Sequence, residues 1–245
     1  MGSSLWDVLS LDEIERALVI TAHPDDVDFG AAGTIANLTD CGATVTYCIV
    51  TDGQAGGFDD SIPRRKMASI RREEQTKAAS KVGVSDLVFL GWMDGEVESG
   101  LELRHDLSRV IREYRPQIVL TQSPALNLRR IYASHPDHIA VAQSAIAAVY
   151  PDARNPYAFT DLITDGLEPW AVDEIWVMGH PEPDEFVEIT PQIERKISAL
   201  LCHESQHRDP SGMMDRVREW NAETAQVAGF GEDSFAEAFT VVDTR

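Results

Sequence analysis

Short apolar runs alternate with longer segments of helical periodicity along the first 150 residues of the chain. The apolar runs predict strands at residues 17–21, 44–50, 86–90 and 117–121. The segments between them and after them predict helices at residues 30–40, 64–82, 103–114 and 134–149. The second run is rich in β-branched residues, which favour strands. Gly42 and Gly83 follow two of the helical segments, as is typical of helix ends.

Strands that alternate with helices are typical of βαβ units, which build a parallel sheet. Their crossovers are almost always right-handed, so helices cover both faces of the sheet. The later pattern is less regular and predicts strands at 174–178, 186–189 and 238–242 and helices at 191–203 and 213–228. We therefore predict an α/β fold with three layers and a mostly parallel sheet, in which residues 1–245 form a single domain.

The chain is strongly acidic, with 41 acidic and 21 basic residues and a formal net charge of −20. Such a charge repels the phosphates of nucleic acids and of anionic membranes, so we expect neither as a partner. Hydrophobic residues make up 43% of the chain, a share that is ordinary for a globular protein.

The cysteines and the apolar runs bear on the location of the protein. Cys41, Cys48 and Cys202 are odd in number and form no Cys-x-x-Cys pair, so we expect no disulfides and a cytoplasmic location. No apolar run approaches 18 residues, and the N-terminus lacks the pattern of a signal peptide. We therefore expect no membrane span.

Polar loops marked by glycine or histidine follow the first four predicted strands. AHPDD (22–26) follows the first strand, TDGQAGG (51–57) the second and GWMDGE (91–96) the third, while SHPDH (134–138) lies beyond the fourth. In open α/β sheets, ligands bind outside the carboxyl ends of the strands. The four loops therefore predict one site at that edge of the sheet.

The residue types in two of these loops are those of a metal site. His23 and Asp26 are three residues apart, as are His135 and His138, so each pair fits on one turn of chain. Two histidines with one carboxylate are a known ligand set of hydrolytic zinc, which lowers the pKa of bound water to about 7. A spare carboxylate, Asp25 or Asp26, would take the proton of that water.

Two other interpretations account for parts of this pattern. AHPDD is also compatible with a polar turn, and Ser134 with Asp137 fits a capping box in which Pro136 occupies the first helical turn. The capping box does not explain the two histidines of SHPDH. A dinucleotide-binding site is disfavoured, because the first βα turn carries HPDD where a G-x-G-x-x-G motif belongs.

The two motifs, in this order, resemble the PIG-L/LmbE-like family of zinc-dependent N-acetylglucosaminyl deacetylases. The loops TDGQAGG and GWMDGE, the segment RREEQTKAASKVGV (71–84) and HESQ (203–206) are similar to further signatures of that family. The resemblance covers roughly residues 17–206, which would form the catalytic core. It implies a Rossmann-like three-layer sandwich and the hydrolysis of an acetamide on a small amino-sugar substrate.

The resemblance also implies roles for particular residues. The implied metal ligands are His23, Asp26 and His138, which would hold Zn²⁺, although Fe²⁺ suits the same ligands. Asp25 matches the general base, His135 matches the residue that stabilises the oxyanion or assists the leaving group, and Asp137 matches a carboxylate that orients His135. The implied substrate contacts are Arg71 and Asp94. Ala133 stands where some members have a tyrosine, and Tyr132 is the nearest replacement.

Other functions stay open on the sequence alone. One is an amidase of the same fold that cleaves a larger acyl group or a thiol conjugate. Another is a non-catalytic module that binds a nucleotide or a glycan. Homo-oligomerisation also stays open. Metal content and the acyl group released would separate these functions.

Overall fold

The computed structural model describes residues 8–245, in which seven strands form one sheet. The strands are β1 (Arg16–Thr21), β2 (Thr44–Thr51), β3 (Asp86–Trp92), β4 (Ile118–Gln122), β5 (Glu174–Met178), β6 (Glu185–Glu188) and β7 (Ala236–Asp243). Their order across the sheet is β3-β2-β1-β4-β5-β7-β6. Strands β1 to β5 pair in parallel, and β7 runs antiparallel to both β5 and β6. The predicted mostly parallel sheet is confirmed.

The helices lie close to their predicted positions. They are α1 (Asp26–Asp40), α2 (Arg64–Lys81), α3 (Leu101–Tyr114), α4 (Pro136–Ala147), α5 (Thr160–Thr164), α6 (Ile193–Leu200) and α7 (Pro210–Ala228). The start predicted for α1, at residue 30, is wrong, because Asp26 and Asp28 already occupy its first turn. Carboxylates there interact favourably with the positive end of the helix dipole. No helix of the described chain is long and apolar enough to cross a membrane.

The sheet separates two hydrophobic cores. Val19 of β1 points into the core that includes Ile35 of α1, whereas its neighbours Leu18 and Ile20 point into the core that includes Val141 of α4. This alternation is the period of two expected of a strand that is covered on both faces. Helices α1, α6 and α7 lie on the first face and α3 and α4 on the second, which confirms the three-layer α/β sandwich.

The strand order reverses at β1, and this reversal positions the site. The chain builds outward from β1 through β2 to β3 and then returns to place β4 on the other side of β1. Helix α1 then leaves toward one face and α4 toward the other. The carboxyl ends of β1 and β4 therefore border a crevice of the kind in which α/β proteins bind their ligands.

Candidate metal centre

The turn at residues 22–26 leaves β1 with an unusual backbone. Asp25 has φ of 87°, in the left-handed region that is disfavoured for residues with a Cβ atom. The backbone N–H of His23 donates to the Asp26 carboxylate at 2.7 Å, which closes the turn. The two adjacent carboxylates consequently diverge, since Asp25 contacts Arg71 whereas Asp26 contacts His138.

The start of α4 presents the second pair of histidines. His135 is the N-cap, and its ring Nδ1 accepts a hydrogen bond from the backbone N–H of Asp137 at 3.2 Å. Pro136 is the first helical residue, as predicted. The alternative interpretation in which Ser134 caps this helix does not hold, because its hydroxyl accepts a backbone N–H of the preceding loop instead. His138 follows one turn into the helix and faces the turn after β1.

Three side chains bring ligand atoms together at the crevice. His23 Nδ1 lies 3.2 Å from His138 Nε2 and 3.3 Å from Asp26 Oδ2, and His138 Nε2 lies 3.1 Å from Asp26 Oδ1. Ligands of a tetrahedral zinc, each bound at about 2.0–2.1 Å, are separated by about 3.3–3.4 Å. The donor atoms and their spacing therefore fit a divalent cation with His23, Asp26 and His138 as ligands.

The other ring nitrogen of His23 faces two buried carboxylates. His23 Nε2 lies 3.2 Å from Asp94 Oδ1 and 3.2 Å from Asp137 Oδ2. Backbone N–H groups hold both acids in place, that of Gly95 donating to Asp137 at 2.7 Å and that of Ala55 to Asp94 at 2.9 Å. A histidine that binds a metal commonly donates its second N–H to a carboxylate, which fixes its tautomer. This arrangement suits His23 as a ligand through Nδ1.

Two alternative sets also bring one possible ligand atom per residue within 4.8 Å, His23 with His135 and His138, and His23 with Asp94 and Asp137. The second set would need His23 Nε2, the nitrogen that already faces both carboxylates. His135 Nδ1 is engaged by the backbone of Asp137. In the set that includes Asp26, each pair of residues brings ligand atoms within 3.1–3.3 Å, and Asp26 and His138 line the cavity, so we favour this set as the candidate metal site.

The contacts of Asp94 and Asp137 differ from those that the resemblance implies. The Asp137 carboxylate contacts His23, and only its backbone N–H contacts His135. Asp94 is 6% exposed and also contacts His23, whereas a substrate contact was expected of it. Both acids contact His23, an arrangement that suits it as a ligand, and a substrate contact for Asp94 stays a prediction.

The charges of the cluster shift the pKa values of its members. Burial by itself lowers the pKa of His23, but Asp26, Asp137 and Asp94 outweigh it and raise that pKa to about 12. Burial opposes ionisation of Asp26, yet His138 and His23 hold its pKa well below the usual range. Without a metal the cluster therefore retains protons, which a cation would displace on binding.

The surroundings of Asp25 and His135 shift their pKa values in opposite directions. Burial raises the pKa of the Asp25 carboxyl, although Arg71 opposes this through a contact of 3.1 Å. The guanidinium of Arg71 is buried and also donates to the carbonyl oxygens of Pro24 and Gly53. Burial, and then the charge of His23, lower the pKa of His135. The substrate contact expected of Arg71 stays a prediction, since the structure uses its side chain to hold Asp25.

A cavity of about 380 Å³ opens beside these residues. Asp25, Asp26 and His138 line its inner end, and Phe29, Met178 and Trp220 form much of its apolar wall. It continues into an outer groove of about 570 Å³ that shares Phe29, Arg130, Tyr132 and Trp220 among other residues. Tyr132 is 65% exposed and lines both spaces.

Sequence reasoning missed several residues of this region. Trp220 of α7 and Phe29 of α1 occupy helical positions that carry no distinguishing pattern, and only folding brings them to the cavity. Gln75 and His203 lie within the segments RREEQ and HESQ, yet nothing in those segments assigned them a role. The buried face of α2 also carries the charged residues Arg71 and Glu74, so one more polar residue there gave no separate signal.

Comparisons with known proteins find a family model and several relatives that are similar to this chain. The model of the PIG-L family, described as GlcNAc-PI de-N-acetylase, matches residues 18–149. Diacetylchitobiose deacetylase of Thermococcus kodakarensis is 35% identical over 195 residues, which are 80% of this chain and 71% of the relative. A probable N-acetyl-α-D-glucosaminyl L-malate deacetylase 2 of Bacillus cereus is 33% identical over 198 residues, covering 78% of this chain and 83% of that protein.

A solved structure extends the similarity to nearly the whole chain. N,N'-diacetylchitobiose deacetylase from Pyrococcus horikoshii, in complex with its inhibitor MPG, superposes with a TM-score of 0.87 at 29% sequence identity. The match covers 95% of this chain and 85% of that one. The shared fold therefore extends well beyond residues 18–149, which the family model matches.

Proposed function

The chain belongs to the PIG-L family, and on that premise we propose that it is a metal-dependent hydrolase that removes the acetyl group from an N-acetylglucosaminyl substrate. The observation that carries this proposal is the cluster of His23, Asp26 and His138, which borders the cavity beside the carboxylate of Asp25. The relatives act on diacetylchitobiose and on an N-acetylglucosaminyl malate by name, so a small amino-sugar substrate is the proposed class.

The three proposed ligands and Asp25 have different roles in the hydrolysis of the amide. His23, Asp26 and His138 would hold a zinc ion, which would supply Lewis-acid chemistry and lower the pKa of water to about 7. Asp25, which lines the same end of the cavity, accepts the proton of the attacking water. It then returns that proton to the amine nitrogen as the C–N bond breaks. Acetate and a free amino sugar are the products.

His135 is suited to stabilise the oxyanion that forms during attack. Its Nδ1 accepts the backbone N–H of Asp137, so the neutral ring carries its proton on Nε2. Because burial and the charge of His23 lower its pKa, His135 is neutral near pH 7. The Nε2–H group therefore donates to the carbonyl oxygen as negative charge develops there.

The cavity and the groove provide room for the rest of the substrate. The apolar faces of Phe29 and Trp220 offer surfaces on which a sugar ring packs, because sugar rings present C–H groups on their faces. The outer groove takes the group attached to the sugar. Arg130 and Tyr132 line both spaces, and we propose that they contact the substrate at the passage between them.

The proposal is tested by measuring acetate release together with metal content. Purified protein is incubated with N-acetylglucosamine, diacetylchitobiose and N-acetylglucosaminyl malate, and acetate and free amine are quantified. We expect equal amounts of both products, loss of activity with a chelator and recovery with Zn²⁺ or Fe²⁺. Mass spectrometry of the untreated protein identifies the resident metal.

Parallel substrates with N-butyryl and longer acyl groups distinguish a deacetylase from an amidase for larger acyl groups. A preference for the longer groups would replace the proposed substrate with that second class. A fully metal-loaded protein that releases no acid from any of these amides would contradict the hydrolase assignment itself.

A further inference from the structure

Three polar side chains, Gln75, Asp28 and His203, are fully buried next to the turn that follows β1. They come from α2, from α1 and from the turn after α6, and none is among the residues that line the cavity beside Asp25. Burying polar groups without partners is costly, so their placement calls for an explanation in the bonds they make. Their hydrogen bonds connect them to the backbone of Asp25.

The three side chains form one chain of hydrogen bonds. Gln75 Oε1 accepts the backbone N–H of Asp25 at 2.7 Å, and Gln75 Nε2 donates to Asp28 Oδ2 at 2.9 Å. His203 Nε2 contacts the same Asp28 oxygen at 2.8 Å. The Gln75 amide is thus held at both ends, because Asp28 and His203 fix the orientation in which its oxygen faces Asp25.

Asp25 requires such support because of its backbone. Its φ of 87° lies in a region that a residue with a Cβ atom rarely adopts without help from its surroundings. The carbonyl of Asp25 accepts the N–H groups of Asp28 and Phe29 as α1 begins, so that end is fixed by the helix. Gln75 fixes the opposite end, at the N–H.

We infer that Gln75 is a positioning residue for the reaction, which holds the backbone of Asp25 in the left-handed conformation that aims its carboxylate into the cavity. Asp28 and His203 orient the Gln75 amide and act through it. The inference rests on the proposed function, in which Asp25 is the general base. Gln75 therefore affects the chemical step through Asp25 and leaves the metal ligands and the sugar-binding surfaces in place.

The variant Gln75→Met keeps the side-chain length and removes both hydrogen bonds. We expect kcat to fall about 10- to 100-fold, because displacing a reacting group by about 1 Å has an effect of that order. KM and the metal content per chain should stay within about twofold of the wild type, since a pure loss in the chemical step lowers kcat alone.

A matched control separates positioning from general destabilisation. Gln192 is also a nearly buried glutamine that donates to an aspartate, Asp40, at 2.9 Å, but it makes no contact with the site residues. Gln192→Met should reduce thermal stability without lowering kcat at a temperature at which the protein is folded. A kcat that falls equally in both variants would overturn the inference. If Gln75→Met does not fold, Gln75→Asn, which is too short to bridge Asp25 and Asp28, replaces it.

A double-mutant cycle tests whether Gln75 acts through Asp25. In the Asp25→Asn background the base is already absent, so adding Gln75→Met should lower the residual kcat by less than about threefold. A further 10- to 100-fold loss in that background would show that Gln75 acts by another route and would overturn the inference.

Hydrogen–deuterium exchange tests whether Gln75 holds the backbone of Asp25, and it needs no substrate. Gln75→Met should accelerate exchange of the Asp25 backbone N–H, which loses its acceptor, whereas Gln192→Met should not. Unchanged exchange there would contradict the role of Gln75 in holding the turn. If the wild type releases no acetate, the proposed function fails, while this exchange experiment still decides whether Gln75 holds Asp25.

Discussion

Two adjacent aspartates have different surroundings, which suit them to different roles. The Asp26 carboxylate lies against two imidazoles, which hold its pKa well below the usual range and keep it available as a ligand. Asp25 is turned away by its left-handed backbone and faces Arg71 and the cavity, where burial raises its pKa. Separated pKa values are the arrangement by which neighbouring acids take different parts in a reaction.

At Asp25, the substitution to asparagine isolates the proton transfer. Asn is nearly isosteric and tolerates the left-handed conformation, but it cannot accept a proton from water. We expect Asp25→Asn to retain its metal and to lose about 10²- to 10⁴-fold in kcat, the usual contribution of a general base. Acetate-release rates are measured beside metal content, and turnover near the wild-type value would place the base elsewhere.

The histidines of α4 are predicted to be unequal. His138 Nε2 faces His23 and Asp26, whereas His135 Nδ1 is bound by its own helix. His138→Ala should therefore lose metal, and His135→Ala should retain it while kcat falls about 10²- to 10³-fold, as on removal of an oxyanion donor. Metal analysis of both variants by mass spectrometry shows which of the two histidines is the ligand. The reverse pattern, with His135→Ala metal-free, would exchange the two roles.

At the scale of elements, α1 is packed closely against its neighbours. The N–H groups of Gly33 and Thr34 donate to the carboxylate of Glu237 on β7, which in turn pairs with Lys196 of α6 at 2.6 Å. A Cβ atom added to Gly33 would lie 2.7 Å from three atoms of the Ile189 side chain. The glycine thus allows the helix that begins at the site to lie against the chain after β6.

Gly33→Ala should therefore destabilise the fold although alanine is the better helix former. Overpacking costs about 1–3 kcal/mol, against a gain of about 1 kcal/mol in helix propensity, so we expect a net loss of up to about 2 kcal/mol. Urea denaturation measures the change. In the Ile189→Ala background the added methyl group has room, and the same substitution should become neutral or stabilising. A loss of equal size in both backgrounds would show that Ile189 is not the obstacle.

At the scale of the whole molecule, the protonation of one histidine links stability to pH. In the metal-free protein, Asp26, Asp137 and Asp94 overcome the effect of burial and raise the pKa of His23 to about 12, against about 6.5 in an unfolded chain. A group whose pKa is raised on folding contributes its full stability below the unfolded value. That contribution is lost as pH rises from about 6.5 toward 12.

We therefore expect the chelator-treated protein to lose thermal stability between pH 7 and 10, by about 2–4 °C for each kcal/mol lost. The metal-loaded protein should show a smaller slope, because a cation has replaced the proton on His23 and binding stabilises the folded state. Thermal unfolding across this range checks both forms, with His23→Gln as the metal-free control. A slope that persists unchanged in His23→Gln would assign the pH dependence to other groups.

Local patterns account for the order and type of the elements. Apolar positions that recur every 2 residues indicate a strand with one face on the core, and those that recur every 3.6 residues indicate a helix. The predicted strands, including 174–178, therefore agree with the structure to within a few residues. The start of α1 was wrong because HPDD was taken as a loop, although its last residue already belongs to the helix. The family that the two motifs indicated is confirmed by the comparisons.

The sequence by itself thus determined the α/β class, the alternation of strands and helices, and the histidines and carboxylates that could hold a metal. Only the tertiary structure decided which of them meet. The strand order sets β1 beside β4 and so brings His23 to 3.2 Å from His138, 115 residues later in the chain. It also sets Asp94 and Asp137 against His23, and Gln75 against Asp25. Periodicity reports only on neighbours along the chain, whereas these contacts depend on how distant elements pack.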